Sequence, residues 1–314
     1  NYIGTDKNGQ TAVGADGSPL GNTGAGVVID DAGASEVSGG VLVPGNMIGD
    51  TTTGGRNIIS GNVGPGVFIT GASKGNTVLG NYIGTDRLGD VAVPNGAGGV
   101  LLRVKEVLGI VGIPSENTIG GDSVAARNVI SGNKRDGIQI AFGASQNKMW
   151  GNFIGTKANG VDPLGNARHG VWIIDSPDNT IGGLAFVPGD PRGNVISANL
   201  GHGVYISGSD ATRNRVLGNI IGLDFTGSSY TANGEDGVNI EDAPNNTIGG
   251  IFPAERNIIS GNLDGVVMVG GDGNQLLGNF IGTDRSGKLD RGNRANGVDL
   301  FQTKNVVIGG TTAG

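Results

Sequence analysis

Residues 117–140 read NTIGGDSVAARNVISGNKRDGIQI, and this stretch contains three short units that recur along the whole chain. Each unit is four to six residues long, rich in Val and Ile, and bounded by Gly or Asn. A helix needs about ten or more residues with a period of 3.6, so these units are predicted to be β-strands. Each repeat therefore contributes three short strands.

The Gly-Val-X-Ile unit is the most regular of the three. Side chains alternate between the two faces of a strand, and the Val and Ile positions are nearly constant while X varies widely. We therefore predict that Val and Ile face inward and that X faces outward. The nine copies begin at Gly26, Gly66, Gly99, Gly137, Gly170, Gly203, Gly237, Gly265 and Gly297.

Four residues cannot bury their own apolar side, but successive repeats can do so by stacking about 4.8 Å apart. The pattern predicts an all-β fold, a parallel β-helix (solenoid) of about nine turns with three short strands per turn, as one domain over residues 1–314. The repeat is interrupted at both ends of the sequence. Because solenoids need polar caps, we expect a fragment of a longer array or end-to-end self-association.

A second unit begins with Asn and ends in Ile-Gly or Leu-Gly. An amide at a turn corner can bond to the neighbouring backbone and to the equivalent Asn one turn away. We therefore expect an internal ladder of stacked asparagines. Its predicted members are Asn46, Asn76, Asn117, Asn147, Asn179, Asn214, Asn246, Asn274 and Asn305.

The Gly-Val-X-Ile runs and the Asn-X-Ile-Gly-Thr-Asp runs, such as residues 1–6, resemble the repeats of the pectin-lyase-like superfamily. They are most similar to repeat arrays of large secreted bacterial surface proteins. The resemblance implies a right-handed coil and a secreted or cell-surface location. Members include polysaccharide lyases, hydrolases, epimerases, phage tailspikes and adhesins, so the resemblance leaves the activity open.

Composition excludes several classes of partner and site. The net charge of −7, from 21 basic and 28 acidic residues, argues against a nucleic-acid partner, which requires a basic surface. The absence of cysteine excludes disulfides and thiolate metal sites. No run approaches the roughly 20 apolar residues of a membrane span.

One face of the coil combines the residue types that chemistry needs. The residue before each Gly-Val strand should occupy equivalent corners, which places the only two histidines one turn apart between aspartates. A histidine beside a carboxylate can act as a proton shuttle. The catalytic candidates are His169, His202, Asp136 and Asp236.

Outward aromatic rings beside acids on this face are typical of a sugar-binding groove, where ring faces receive the CH groups of pyranoses. The predicted carbohydrate-binding residues are Trp172, Tyr205, Gln139, Asn239, Arg168, Asp175 and Asp242.

No cofactor and no metal site are predicted. Zinc at His169 and His202 with one aspartate would require stacked residues to converge in tetrahedral geometry. The recurring Thr-Asp-X-X-Gly loops indicate Asx turns, with calcium as the weaker alternative, because Lys157 replaces the acid in one copy. The acids of these loops are Asp6, Asp86, Asp224 and Asp284.

Two functions follow, and a phage or polymer-forming fibre, which would share the fold and differ in assembly, is a third possibility. The first is an extracellular or cell-surface structural or adhesion rod whose partner is a polysaccharide or cell-surface glycan. The alternative is a carbohydrate-active enzyme, a polysaccharide lyase or glycoside hydrolase, acting along the Asp136–Asp242 face. No recognised catalytic set is found: Asp30-Asp31 and Gly201-His202-Gly203 match parts of a polygalacturonase-like set but lie about 170 residues apart. Insertions recur at equivalent places on every second turn, which favours the structural function.

Overall fold

The computed structural model describes residues 1–37, 41–52, 54–185, 188–189 and 191–310. Its strands form three parallel sheets of nine strands each, and every turn of the chain contributes one strand to each sheet. The fold is a right-handed parallel β-helix of nine turns with three strands per turn, so the predicted architecture is confirmed. At about 4.8 Å per turn the coil is about 40 Å long.

Sheet 1 consists of two-residue strands, and sheet 2 of four-residue strands that follow them in each turn. The strands of sheet 1 are Tyr2–Ile3, Ile58–Ile59, Tyr82–Ile83, Val129–Ile130, Phe153–Ile154, Val195–Ile196, Ile220–Ile221, Ile258–Ile259 and Phe280–Ile281. The strands of sheet 2 are Val27–Asp30, Val67–Thr70, Val100–Arg103, Ile138–Ala141, Val171–Ile174, Val204–Ser207, Val238–Glu241, Val266–Val269 and Val298–Phe301.

Sheet 3 completes each turn with strands of two or three residues. These strands are Met47–Ile48, Thr77–Val78, Thr118–Gly120, Lys148–Trp150, Thr180–Gly182, Arg215–Leu217, Thr247–Gly249, Gln275–Leu277 and Val307–Ile308. Insertions between sheets 2 and 3 form two antiparallel hairpins, Ser35–Val37 with Val41–Val43 and Lys105–Val107 with Ile110–Gly112. Insertions between sheets 3 and 1 contain the 3-10 helices Val124–Ala126 and Pro253–Glu255.

The strands stack in register, so each side chain lies above its equivalent on the next turn. Val171 aligns with Val204, and Ile173 with Ile206; all four side chains are fully buried in the core. The X residue between them, Trp172 in this turn, is half-buried on the outer surface. The predicted orientation of the Gly-Val-X-Ile unit is therefore confirmed.

Stacked asparagines join the turns at the corner before sheet 3. The backbone N–H and the Nδ2 of Asn117 both donate to Oδ1 of Asn147, at 3.0 Å each. The prediction for Asn305 is wrong: Val307 pairs with Gln275, so Val306 is the residue that aligns with Asn274. The bonds join Asn46, Asn76, Asn117, Asn147, Asn179, Asn214, Asn246 and Asn274 in series.

Two further ladders, which the sequence analysis does not anticipate, occupy the other two corners. The ladder before sheet 1 contains Asn1, Asn57, Asn81, Asn128, Asn152, Asn194, Asn219, Asn257 and Asn279. The ladder before sheet 2 contains Asn22, Asn62, Asn95, Asn133, Asn166, Asn199, Asn233, Asn262 and Asn293. All three corners of the coil are thus held by amide-to-amide bonds.

The Thr-Asp-X-X-Gly loops are closed by their aspartates. Oδ1 of Asp86 accepts the backbone N–H groups of Asp90 at 2.8 Å and Val91 at 3.1 Å. Equivalent pairs of bonds occur at Asp6, Asp224 and Asp284. The carboxylates act as turn acceptors, which is the predicted Asx-type role.

Among the residues that the structure describes, no helix has the length and apolar character that crossing a bilayer requires.

Candidate functional site

The polar residues before the Gly-Val strands form a fourth ladder, here called the acid–histidine ladder. Oδ1 of Asp136 accepts the backbone N–H of His169 at 3.2 Å. Nδ1 of His169 accepts the N–H of His202 at 3.1 Å, and Nδ1 of His202 accepts the N–H of Asp236 at 3.2 Å. Asp264 and Asn296 continue the series through the same kind of bond. The four catalytic candidates are therefore consecutive members of one ladder.

The two imidazoles stack face to face, with ring centroids 5.1 Å apart and an interplanar angle of 5°. Because Nδ1 of His169 accepts a hydrogen bond, that ring carries its proton on Nε2 and is neutral. Burial lowers the pKa of His169 to about 3, and the charges of His202 and Arg168 add to this shift. His169 is therefore a neutral acceptor throughout the physiological range.

The two aspartates at the ends of this histidine pair have different surroundings. Asp136 is 3% exposed, and its burial raises its pKa although Arg168 lies 3.6 Å from its carboxylate. Burial also acts to raise the pKa of Asp236, but the adjacent His202 imidazole and a hydrogen bond from Asn239 outweigh it, and the pKa is lowered. The Nδ2 of Asn239 donates to Asp236 at 2.8 Å. Each carboxylate thus contacts a polar side chain on the same face of the coil, Arg168 for Asp136 and Asn239 for Asp236.

His202 is the more accessible imidazole, with its side chain 15% exposed. Its Nε2 lies 3.2 Å from the carboxylate of Glu235, and its Nδ1 lies 3.3 Å from that of Asp236. Glu235, which is not among the predicted site residues, stands half-exposed at the rim. Its signal in the sequence is its place one residue before the acid–histidine ladder.

One cluster of metal-ligating side chains occurs in the part of the chain that the structure describes: His169, His202 and Glu235, whose ligand atoms lie within 4.8 Å of one another. Zinc binds imidazole nitrogen at about 2.0–2.1 Å, so two nitrogens on one ion lie at most about 4.2 Å apart. Parallel rings 5.1 Å apart direct their lone pairs side by side rather than toward one point. As it stands, this cluster does not have the geometry of a zinc site.

The predicted aromatic pair lies beside the acid–histidine ladder. Trp172 and Tyr205 stack on neighbouring turns, with centroids 5.9 Å apart and an interplanar angle of 16°. The Nε1 of Trp172 donates to the Ser207 hydroxyl at 2.9 Å, and the Tyr205 hydroxyl donates to Glu241. Burial, together with the bond to Glu241, raises the pKa of Tyr205 to about 12. Both rings are therefore fixed in position.

The packing of this pair differs from the expected row of open ring faces. The guanidinium of Arg168 lies 4.8 Å from the centre of the Trp172 ring, and Tyr205 packs on the same ring. The ring centroids of His169 and His202 lie 5.0 and 5.2 Å from that of Tyr205. Rings stacked along the rod present mainly their edges to solvent. A sugar would therefore meet the edges of a four-ring cluster.

The remaining predicted binding residues are divided between the two ends of the sheet 2 strands. Gln139 lies one turn before Trp172, at the equivalent strand position, and is half-buried. Asp175 and Asp242 lie where their strands end, with positive φ angles of 44° and 52°. Asp175 lines a separate open depression of about 820 Å³ together with Phe142. The structure thus does not gather all the predicted residues into one groove.

No protein-family model and no curated protein sequence matches the chain. Among solved structures, the mannuronan C-5 epimerase AlgE6 A-module of Azotobacter vinelandii is similar, at 14% identity over 96% of this chain and 57% of that chain, with a TM-score of 0.40. Tailspike protein 2 of Escherichia coli O157:H7 bacteriophage CAB120 is similar at 11% identity over 81% and 34%, with a TM-score of 0.47. The periplasmic alginate epimerase AlgG is similar at 13% identity over 81% and 72%, with a TM-score of 0.42. The chain spans 57% of the length of the AlgE6 A-module and 34% of the length of the tailspike protein. These similarities assign no activity to the chain.

Proposed function

We propose that the chain is an extracellular or cell-surface β-helix rod with a structural and adhesive role. The observation that supports this most directly is the acid–histidine ladder, in which His169 and His202 each accept the backbone N–H of the next turn. Asp264 performs the same task for Asn296 further along. Because an aspartate does the same work, both histidines are accounted for by the architecture of the coil.

The proposed partner is a polysaccharide or cell-surface glycan that lies along sheet 2. The ring edges of Trp172 and Tyr205 offer an apolar contact, and the carboxylates of Glu235 and Glu241 offer acceptors for hydroxyl groups. Because the rings and their polar neighbours are already fixed by mutual contacts, binding costs little ordering of side chains. Contact of this kind suits adhesion to a repeating polymer.

A pair of substitutions at one position tests the structural role. His169→Asn keeps an acceptor at the corner, whereas His169→Leu leaves the N–H of His202 unpaired. We expect the Asn variant to unfold close to the wild-type urea midpoint, and the Leu variant to lose about 1–3 kcal/mol. Equal stability of the two variants would contradict the structural role of the imidazole.

The alternative is a carbohydrate-active enzyme working along the Asp136–Asp242 face. It is favoured by the position of His202, which is partly exposed and lies between Glu235 at 3.2 Å and Asp236 at 3.3 Å. A panel of uronate and neutral polysaccharides, followed by absorbance at 235 nm and by reducing ends, separates the two functions. The structural proposal expects neither signal; a signal that His202→Asn abolishes would establish the enzyme.

A further inference from the structure

The outer surface of sheet 3 alternates between glycine and a large side chain from turn to turn. Gly120 pairs with Trp150, and Gly182 pairs with Leu217. Gly182 has a φ of 86°, and a Cβ placed there would lie 2.0 Å from the carbonyl oxygen of Leu217. No other residue fits at this position without a shift of the backbone. Gly182 therefore adds no side chain to the space between Trp150 and Leu217.

This open space is a pocket of about 340 Å³ between Trp150 and Leu217. The two residues lie two turns apart, or about 10 Å along the rod. Leu184 and Phe252, from the insertions that follow sheet 3, form further walls and are themselves more than half exposed. Sites for small ligands begin at about 300 Å³, so the pocket has room for one sugar residue.

The rim of the pocket is basic in a chain whose net charge is −7. Three cations, Lys148, Arg192 and Arg215, and one carboxylate, Glu255, line it, which gives a net charge of +2. Arg215 is paired with Glu255 at 2.7 Å, and Arg192 reaches an aspartate outside the pocket at 3.2 Å. Lys148 has no ion-pair partner among the described residues. Its ammonium group is therefore available to pair with an anionic ligand.

Trp150 differs from Trp172 in how its indole is held. The Nε1 of Trp172 donates to Ser207, whereas the Nε1 of Trp150 is buried and has no acceptor in the described part of the chain. The Nζ of Lys148 and the guanidinium of Arg192 each lie 5.3 Å from the centre of the Trp150 ring. The indole of Trp150 is thus flanked by two cations and makes no hydrogen bond in the described part of the chain, which is uncommon for a buried donor.

We propose that this pocket binds one carboxylate-bearing sugar residue of a polysaccharide. The pyranose packs against Trp150 above Gly182, and its carboxylate is bound by Lys148 with Arg192 beside it. A neutral sugar would leave Lys148 without an ion-pair partner. A purely apolar ligand would remove the cations of the rim from water without providing a negative charge to pair with them. The site is on a different sheet from the Trp172–Tyr205 face, so it stands independently of the proposed function.

The two tryptophans of the chain allow each face to be observed alone. In the Trp172→Phe variant of the 314-residue chain, Trp150 is the only source of indole fluorescence. Titration with trigalacturonate should produce a saturable change in its emission, which added salt weakens and which maltotriose, a neutral trisaccharide, does not produce. The Trp150→Phe variant reports Trp172 in the same way, so failure of one site is distinguishable from failure of the other.

Two lysine substitutions in the Trp172→Phe background locate the carboxylate contact. Lys148→Gln should weaken binding of trigalacturonate about fivefold or more, while Lys134→Gln, the same charge change at an exposed corner outside the pocket, should leave it unchanged. Circular dichroism verifies that both variants are folded. No emission change from Trp150, an equal response to maltotriose, or equal affinities of the two lysine variants would each overturn the proposal.

Discussion

The guanidinium of Arg127 lies 4.0 Å above the ring of Phe153 on the following turn, and its Nε donates to the carbonyl of Gly151 at 3.0 Å. The same relationship joins Arg56 to Tyr82. It also joins Arg256 to Phe280 at 4.0 Å, so it recurs in three of the four two-turn repeats. In the remaining repeat both partners are absent together, since Gly193 and Ile220 occupy the two positions.

The joint replacement of both partners predicts that each pair is energetically coupled. We expect a double-mutant cycle of Arg127→Met and Phe153→Ile, measured by urea unfolding, to give a coupling energy of about 0.5–1 kcal/mol. The phenylalanine is replaced by the residue found at the equivalent position 220. A coupling energy of zero would mean that the two side chains merely share a surface.

The ladder before sheet 3 predicts a large cost for the loss of one central amide. Asn179→Ala removes the acceptor for Asn147 and leaves buried N–H groups unpaired, so the free energy of unfolding should fall by about 1–3 kcal/mol. Asn296→Ala is the control, because Asn296 is exposed, lies outside this ladder and has no left-handed backbone that Ala would strain. Similar effects of the two substitutions would contradict the ladder's contribution.

The buried state of His169 predicts a specific dependence of stability on pH. Its pKa is about 3 in the folded protein, below the ordinary value of 6.5, so the unfolded chain binds the proton first as pH falls. The histidine's contribution is complete above pH 6.5 and is lost toward pH 3, at up to about 1.4 kcal/mol per pH unit. His169→Asn should show a shallower decline in urea stability over this range. Identical pH profiles would contradict the lowered pKa.

If a glycan binds along sheet 2, substitution of Trp172 should weaken glycan binding without unfolding the chain. Trp172→Ala should lower capture of glycans by the rod several-fold while the chain stays folded. Phe142→Ala removes another exposed aromatic ring, just after the end of the neighbouring strand Ile138–Ala141, and is the control. A glycan array probed with both variants measures the difference, and equal losses would mean that capture depends on general surface apolarity.

End-to-end association stays a prediction. The outermost strands of sheet 2, Val27–Asp30 and Val298–Phe301, each have a hydrogen-bonded neighbour on one side only. Sedimentation velocity over a wide concentration range should show a rising proportion of longer species. A single monomeric boundary at every concentration would contradict it.

Much of the coil follows from the sequence because its period dictates its register. Once Gly-Val-X-Ile strands stack in register, His169 must lie beside His202 and Trp172 beside Tyr205. The error at Asn305 arose because its unit has one extra residue, which shifts Val306 into the ladder position. The ladder before sheet 2 was readable in principle, since its members generally stand four residues before the glycine of Gly-Val, as Asn166 does before Gly170.

The orientation of rings and the enclosure of space did not follow from the sequence. Whether Trp172 turns its face or its edge to solvent depends on the side-chain rotamer and on Arg168, neither of which a repeat encodes. The pocket beside Trp150 depends on insertions of unequal length that fold back over sheet 3. The spacing of the repeats specifies which residues stack at equivalent positions of successive turns. Ring orientation and the pocket depend instead on contacts between residues at non-equivalent positions.

The three asparagine ladders give the molecule a direction. In each of them the backbone N–H or Nδ2 of one turn donates to the Oδ1 of the following turn, without reversal. The coil is therefore polar in the way that a cytoskeletal filament is polar, with an acceptor-bearing end and a donor-bearing end. Two such rods can extend each other's ladders head to tail but not head to head. Any fibre built by continuing these ladders would point all its copies, and the faces they carry, in one direction.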